Sequence, residues 1–281
     1  MFNDEITAAL LSFTKLFINS PDTVLDRPWH WNGHNEGIRF AFFVVSRNLS
    51  DLTVRLETML STSSPVLRIL SQYHSAYLDL QAVLYGLTPE VVNLTPSEKD
   101  WSVRRTYAHI LSADIGFFAT IQYALEGHRQ NKWAPEPMSD EDEIRLIGMS
   151  EAQYQSLMSS NYETLLNYHQ KLHSQIITGF SDITAVELDL PAAFWEPLMF
   201  PIRYRLHRYE AHMRQHTIQI EKTLTSIDIA PNETKLLIRL LFASLARIDG
   251  VLINTHDKNV ELCQKTANNI NIITDEIRTL F

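Results

Sequence analysis

Apolar residues recur every three or four positions over most of the chain, which is the period of an amphipathic α-helix. Prolines, glycines and short polar runs separate the periodic segments. A capping signal supports several starts, such as Ser64 before Pro65 and Asp100 or Ser102 before the fourth segment. The pattern predicts eight helices, at about residues 2–19, 38–60, 67–85, 102–126, 150–177, 202–224, 233–253 and 255–280.

The segments between these predicted helices are also informative. Residues 27–34 read Arg-Pro-Trp-His-Trp-Asn-Gly-His and predict a loop. Residues 128–149 predict a long connection whose acidic run, 140–143, is a solvated loop or a helix N-terminus. Alternating apolar residues at 186–190 predict a short extended piece. The polar run from Ser61 to Ser64 predicts a boundary.

Composition narrows the class of protein. The 281 residues include only 8 glycines, which argues against Gly-rich phosphate loops and a tight-turned β fold. The lone cysteine, Cys263, excludes an intrachain disulfide and a multi-cysteine zinc site. With 24 basic against 33 acidic residues, the formal charge of −9 disfavours nucleic-acid binding.

The N-terminal segment does not resemble a signal peptide. It lacks a basic start, and Asp4, Glu5 and Lys15 interrupt its apolar residues. No segment approaches the roughly 18 continuous apolar residues of a membrane span. We therefore expect a cytoplasmic protein without a membrane partner.

Three of the histidine pairs have the spacing i, i+4: His30/His34, His169/His173 and His212/His216. On a helix this spacing places both rings on one face, close enough to share one cation. Imidazole suits Zn, Ni, Fe or Cu. A pair is an incomplete site, so a third ligand must come from another helix.

The three pairs differ in context. His216 lies on the apolar stripe of its predicted helix, with His212 at the border and Gln219 on the same face to orient a ring or a bound water. For His169/His173, a partly exposed pair on a helix edge is the simpler interpretation. For His30/His34, loop polarity near aromatic residues is the simpler interpretation.

Two motifs resemble signatures of DinB-like proteins. Residues 100–114, Asp-Trp-Ser-Val-Arg-Arg-Thr-Tyr-Ala-His-Ile-Leu-Ser-Ala-Asp, resemble the second-helix signature, in which Trp-Ser leads to an inward-facing histidine and then an acidic residue. Residues 210–220 contain H-x-x-x-H-x-x-Q-I, which resembles the fourth-helix signature. The resemblance covers about residues 64–226.

The resemblance implies an all-α fold: a four-helix bundle with a long crossover connection at 64–226. We expect additional helices at 1–63 and 227–281 to extend this bundle. By resemblance His109, His212 and His216 hold one divalent metal, Zn or Ni, which leaves open coordination positions. We hypothesise that the Trp29-His30-Trp31 loop covers the open end of the bundle as a lid.

DinB-like proteins include low-molecular-weight-thiol S-transferases, a thiol-dependent isomerase and a metal-dependent hydrolase. The resemblance therefore implies a metal-activated thiol or water that attacks a small-molecule electrophile. The expected activity is that of an S-transferase or hydrolase, with a low-molecular-weight thiol as a possible cosubstrate. The alternative is a non-catalytic helical bundle, with a structural metal or none, that serves dimerisation or interaction. A homodimer is possible under either interpretation.

Catalytic residues are not identified from the sequence. Four polar residues are candidates because of their positions around the predicted helices: Arg105, Asp114, Glu210 and Gln219. Asp114 is better explained as the partner of an arginine or as a cap contact than as a metal ligand. The five tryptophans are better explained by core or lid packing than by base stacking: Trp29, Trp31, Trp101, Trp133 and Trp195.

Overall fold

The computed structural model describes residues 4–60, 64–194, 198–255 and 260–281. The fold is all-α, as the hydrophobic period predicts. The α-helices within the described residues are α1 (Asp4–Lys15), α2 (Arg39–Met59), α3 (Pro65–Leu84), α4 (Pro89–Asn93), α5 (Val103–Arg129), α6 (Asp140–Ile147), α7 (Glu151–Met158), α8 (Tyr162–Phe180), α9 (Ile202–Ser226), α10 (Glu233–Leu252) and α11 (Val260–Arg278). Two short hairpins accompany them, β1 (Pro28–Trp31) with β2 (His34–Gly37), and β3 (Pro191–Ala192) with β4 (Phe200–Pro201).

The chain forms two compact units, and one of them contains Ser64–Ala76 and Thr88–Asp228. Its longest helices, α5 and α9, pack against each other, and α8 packs on α5. The Ser102 hydroxyl accepts a hydrogen bond from the Arg105 amide and so caps α5. Because the Thr223 hydroxyl near the end of α9 donates to the Trp101 carbonyl before α5, the two helices run antiparallel.

The other unit contains Met1–Ser63, Tyr77–Leu87 and Ile229–Phe281. In this unit α1 packs on α11 and α2 packs on α10. Phe13, Phe17 and Phe42 form a buried aromatic cluster with ring centroids 4.7–5.2 Å apart. The Asp22 carboxylate accepts from the first amides of α10, at Glu233 and Thr234, both at 3.0 Å. The division of the chain at residues 63 and 226 stays a prediction.

One long predicted helix is broken in the structure. Residues 150–177 form α7 and α8 rather than one helix, with a turn at residues 159–161. The Asn161 side chain accepts from the Thr164 amide and starts α8. Asparagine is more favourable at a helix N-cap than in a helix interior. The chain therefore starts a new helix after Asn161, although the apolar period continues through this position.

The connecting segments also differ from their predictions. The predicted loop at residues 27–34 is largely strand β1 and the turn into β2. The long connection contains α6. The acidic run forms the first turn of this helix, and Ser139 is its N-cap. The predicted extended piece at 186–190 is instead a short 3-10 turn at Glu187–Asp189, and β3 follows it. The predictions for Trp195, for Ser61 to Ser63 and for residues 256–259 lie outside the described residues. No helix in the described part of the chain combines the length and apolar character of a membrane span.

Candidate metal centre

Three histidines converge from two antiparallel helices. His109 comes from α5, and His212 and His216 lie one turn apart on α9. One ring nitrogen of each residue lies within 4.8 Å of the others, which makes the three a group that could hold a metal ion. Nε2 of His212 is 3.2 Å from Nε2 of His109. No other group of three potential ligand residues meets this criterion among the described residues.

The hydrogen bonds of the rings determine which nitrogens are available. Nδ1 of His216 lies 2.8 Å from Oε1 of Gln219, which can only accept. His216 therefore donates from Nδ1, and in the neutral form of this ring the lone pair lies on Nε2, where a cation can bind. The prediction that Gln219 orients a ring is confirmed by this contact. Nδ1 of His212 is buried and has no hydrogen-bond partner within the described chain.

The cluster is electrostatically suited to bind a cation. The pKa of His212 is lowered to about 3, mainly by burial and in part by His216, His109 and Arg208. Burial, followed by the nearby His216, also lowers the pKa of His109. Both rings are therefore neutral at pH 7. Neutral imidazole is the form that ligates a metal, so no proton has to leave these two rings before a cation binds.

Aromatic rings border the cluster. The Trp101 ring meets His109 edge-on, with centroids 5.2 Å apart, and the Arg105 guanidinium lies over Trp101 at 4.8 Å. The Phe117 ring is edge-on to His212 at 6.0 Å. His109, His212 and Trp101 are half-buried, whereas Phe117 is buried, so the group is partly exposed on the side of Trp101.

Only one of the four polar candidates contacts the cluster. Gln219 does so through His216, whereas Arg105 lies over Trp101 and Glu210 pairs with Arg214 at 2.8 Å. The prediction that Asp114 pairs with an arginine or a cap is wrong. Asp114 is fully buried. Its Oδ2 accepts from the Tyr73 hydroxyl at 2.9 Å and also contacts His169.

The predicted partly exposed pair His169/His173 is in fact buried, with 0% and 6% exposure. The two rings form hydrogen bonds to different helices. His169 bonds to Asp114 on α5, at 3.0 Å, and His173 bonds to His74 on α3, at 3.2 Å. Sequence reasoning missed this buried network, although the position of His169 on an apolar stripe was a signal for it.

The other aromatic and histidine predictions have mixed outcomes. His30 and His34 lie in the β1–β2 hairpin, where both are exposed. Trp29 is buried and stacks on Trp31, in agreement with a packing role. Trp133 stacks on His128 with centroids 4.7 Å apart. The lid role of the hairpin stays a prediction.

Three imidazoles supply fewer ligands than the four or more that a closed structural site uses, so they leave room for a further ligand. The fold and this group define an all-α protein with a histidine cluster able to hold a divalent metal. The chain belongs to the DinB superfamily: the model of that superfamily matches residues 72–220, just over half of the chain. All three histidines fall within the match. Searches of the curated proteins and of the solved structures gave no match.

Proposed function

We propose that the protein binds one divalent metal ion, Zn or Ni, through His109, His212 and His216. The convergence of these three rings from α5 and α9 carries the proposal. The donor set supports it, because burial lowers the pKa of His109 and His212, and the contact of Gln219 with Nδ1 of His216 directs Nε2 of that ring toward a cation.

We further propose that the protein is an enzyme, an S-transferase or hydrolase that acts on a small electrophile. A divalent ion held by His109, His212 and His216 would lower the pKa of a bound thiol or water and would polarise a carbonyl. The chain's own residues supply the surroundings. The half-buried Trp101 offers apolar surface to an organic substrate, and Gln219 holds the His216 ring in place. A low-molecular-weight thiol cosubstrate agrees with the proposed cytoplasmic location, where thiols stay reduced.

Elemental analysis of the purified, untagged chain tests the metal proposal. We expect one Zn or Ni per chain, lost when His109, His212 and His216 are all changed to Ala. His207→Ala is the matched control, because His207 is an exposed histidine on the same helix. A wild-type chain that holds no metal after reloading with Zn and Ni would overturn the proposal.

A screen of low-molecular-weight thiols with electrophilic acceptors, and of hydrolysable esters and amides, tests the enzymatic proposal. We expect turnover by the metal-loaded wild type and by His207→Ala, and none by the triple variant. Stoichiometric metal without turnover would favour the non-catalytic alternative, in which the metal stabilises a helical module. The predicted homodimer stays a prediction, which the molar mass in solution tests.

A further inference from the structure

A single buried imidazole ties α8 to α5 at two points. Nδ1 of His169 lies 2.8 Å from the Tyr107 hydroxyl, and Nε2 lies 3.0 Å from Oδ2 of Asp114. All three residues have 0% exposure. Since both ring nitrogens are engaged with α5, the orientation of the ring and the position of that helix are coupled.

The two attachment points bracket a candidate metal ligand. Tyr107 and Asp114 are seven residues apart, about two turns, so they share one face of α5. His109 lies between them in sequence and is rotated by about 200° from Tyr107, at about 100° per residue. The helix is therefore held from the α8 side while it presents His109 to α9 on the other side.

A third helix strengthens this attachment. The Tyr73 hydroxyl of α3 donates to the same Oδ2 of Asp114, at 2.9 Å. Any rotation or slide of α5 that moves His109 must also lengthen hydrogen bonds to a fully buried carboxyl group. Buried polar groups that lose their partners are costly, so the arrangement resists such movement.

A neighbouring histidine provides an internal comparison. His173 is one turn further along α8 and is also buried, but its hydrogen bond runs to His74 of α3. The two histidines thus share a helix, a residue type and a buried environment. The hydrogen bonds of His169 to Tyr107 and Asp114 run to α5, whereas the bond between His173 and His74 runs to α3.

We propose that His169 is a positioning residue, which clamps α5 through Tyr107 and Asp114 and thereby fixes His109 for the candidate metal centre. This inference rests on the proposed metal site. It assigns Tyr107, Asp114 and His169 a role in the geometry and metal affinity of that site, in addition to their contribution to stability.

Two substitutions of different severity test the clamp. Tyr107→Phe removes one hydroxyl, and Tyr162→Phe is its control, because Tyr162 packs on Tyr107 and its buried hydroxyl has no hydrogen-bond partner in the described chain. His169→Phe removes both bonds, and His173→Phe is its control. The readouts are Zn affinity by competition, the visible spectrum of the Co²⁺-loaded protein, and amide hydrogen exchange at residues 107–114 without metal.

We expect Tyr107→Phe and His169→Phe to weaken Zn binding by about 10-fold or more, the scale of outer-shell changes at metal sites. They should also change the Co²⁺ spectrum and speed exchange at residues 107–114, with little change in the controls. If His169→Phe does not fold, Tyr107→Phe decides. Unchanged affinity and spectrum in a folded clamp variant, with lowered stability alone, would overturn the proposal. If the wild type binds no metal, the proposed function fails, and hydrogen exchange decides the clamp by itself: unchanged protection overturns it.

Discussion

Oε1 of Gln219 lies 2.8 Å from Nδ1 of His216, three residues away on the same face of α9. The amide oxygen thereby fixes both the tautomer and the orientation of the ring. We predict that Gln219→Leu weakens Zn binding by about 10–100-fold, as loss of an outer-shell partner does elsewhere. A competition titration against a chromophoric chelator measures this.

Two further variants make the Gln219 test specific. Gln219→Glu keeps an acceptor, and a carboxylate accepts more strongly than an amide, so it should bind Zn at least as tightly as the wild type. Gln215→Leu makes the same substitution at an exposed position of the same helix and should leave affinity unchanged. Equal weakening in the Gln215 variant would show that the effect does not come from the contact to His216.

Trp101 provides an optical reporter of the site, because its ring meets His109 with centroids 5.2 Å apart. Open-shell ions such as Ni²⁺ and Co²⁺ quench indole fluorescence at short range. We predict that Ni²⁺ quenches part of the tryptophan emission of the wild type. Trp101→Phe should lose most of this quenching and retain metal binding, as measured by elemental analysis.

Trp133→Phe is the control for the fluorescence test. Trp133 stacks on His128, near the end of α5, while His109 lies in the first third of that helix. This variant should retain the Ni²⁺ quenching of the wild type. Quenching that survives in Trp101→Phe and disappears in Trp133→Phe would place the ion near His128 instead.

The hydrophobic period predicted the helices well and the candidate site in part. It placed His212 and His216 on one face of a helix, because that placement depends only on residues four apart. His109 lies about 100 residues earlier in the chain, and periodicity says which face it occupies but not which helix it meets. Its assignment came from the resemblance, and the convergence in the structure agrees with it.

The apolar stripe indicated that His169 is buried, but the residues that bond to Asp114 could not be predicted, for the same physical reason. Its partners, Tyr73 and His169, come from two other helices, and side-chain hydrogen bonds between helices depend on their relative register. An isolated acidic residue in a helical pattern suggests a nearby arginine, since a salt bridge is the commoner explanation. Packing selected a tyrosine and a histidine instead.

The break between α7 and α8 yields a stability prediction. Oδ1 of Asn161 accepts from the Thr164 amide at 2.9 Å and caps α8. Asn161→Ala should lower the free energy of unfolding by about 1 kcal/mol, the usual cost of a lost N-cap. Asn161→Asp should be nearly neutral, because aspartate caps as well. Chemical denaturation measures the free energy of unfolding of both variants. An Asn161→Ala variant as stable as the wild type would mean that α8 does not depend on this cap.

Glu187 makes stability depend on acidity. Its Oε1 accepts from Nε of Arg129 at 2.6 Å, and its Oε2 accepts from the Thr184 amide at 2.8 Å. The Arg129 hydrogen bond is the main cause that lowers the pKa of Glu187 from 4.5 to about 2. A carboxyl group whose pKa is lower in the folded chain than in the unfolded chain stabilises the fold at pH values above the unfolded pKa. This contribution is lost as the pH falls from about 4.5 toward 2.

We therefore predict that Glu187→Gln lowers the free energy of unfolding by about 1–2 kcal/mol at pH 7, less than the full pKa shift implies because Arg129 is partly exposed to solvent. The difference from the wild type should shrink as the pH approaches 2, because the wild-type carboxyl then becomes protonated and neutral, like the amide. Denaturant unfolding across this pH range measures the difference. Asp182→Asn changes the more distant partner of Arg129, at 3.3 Å, and should cost little at any pH. A constant difference between Glu187→Gln and wild type from pH 7 to 2 would show that the ionised carboxylate is not the source of the stabilisation.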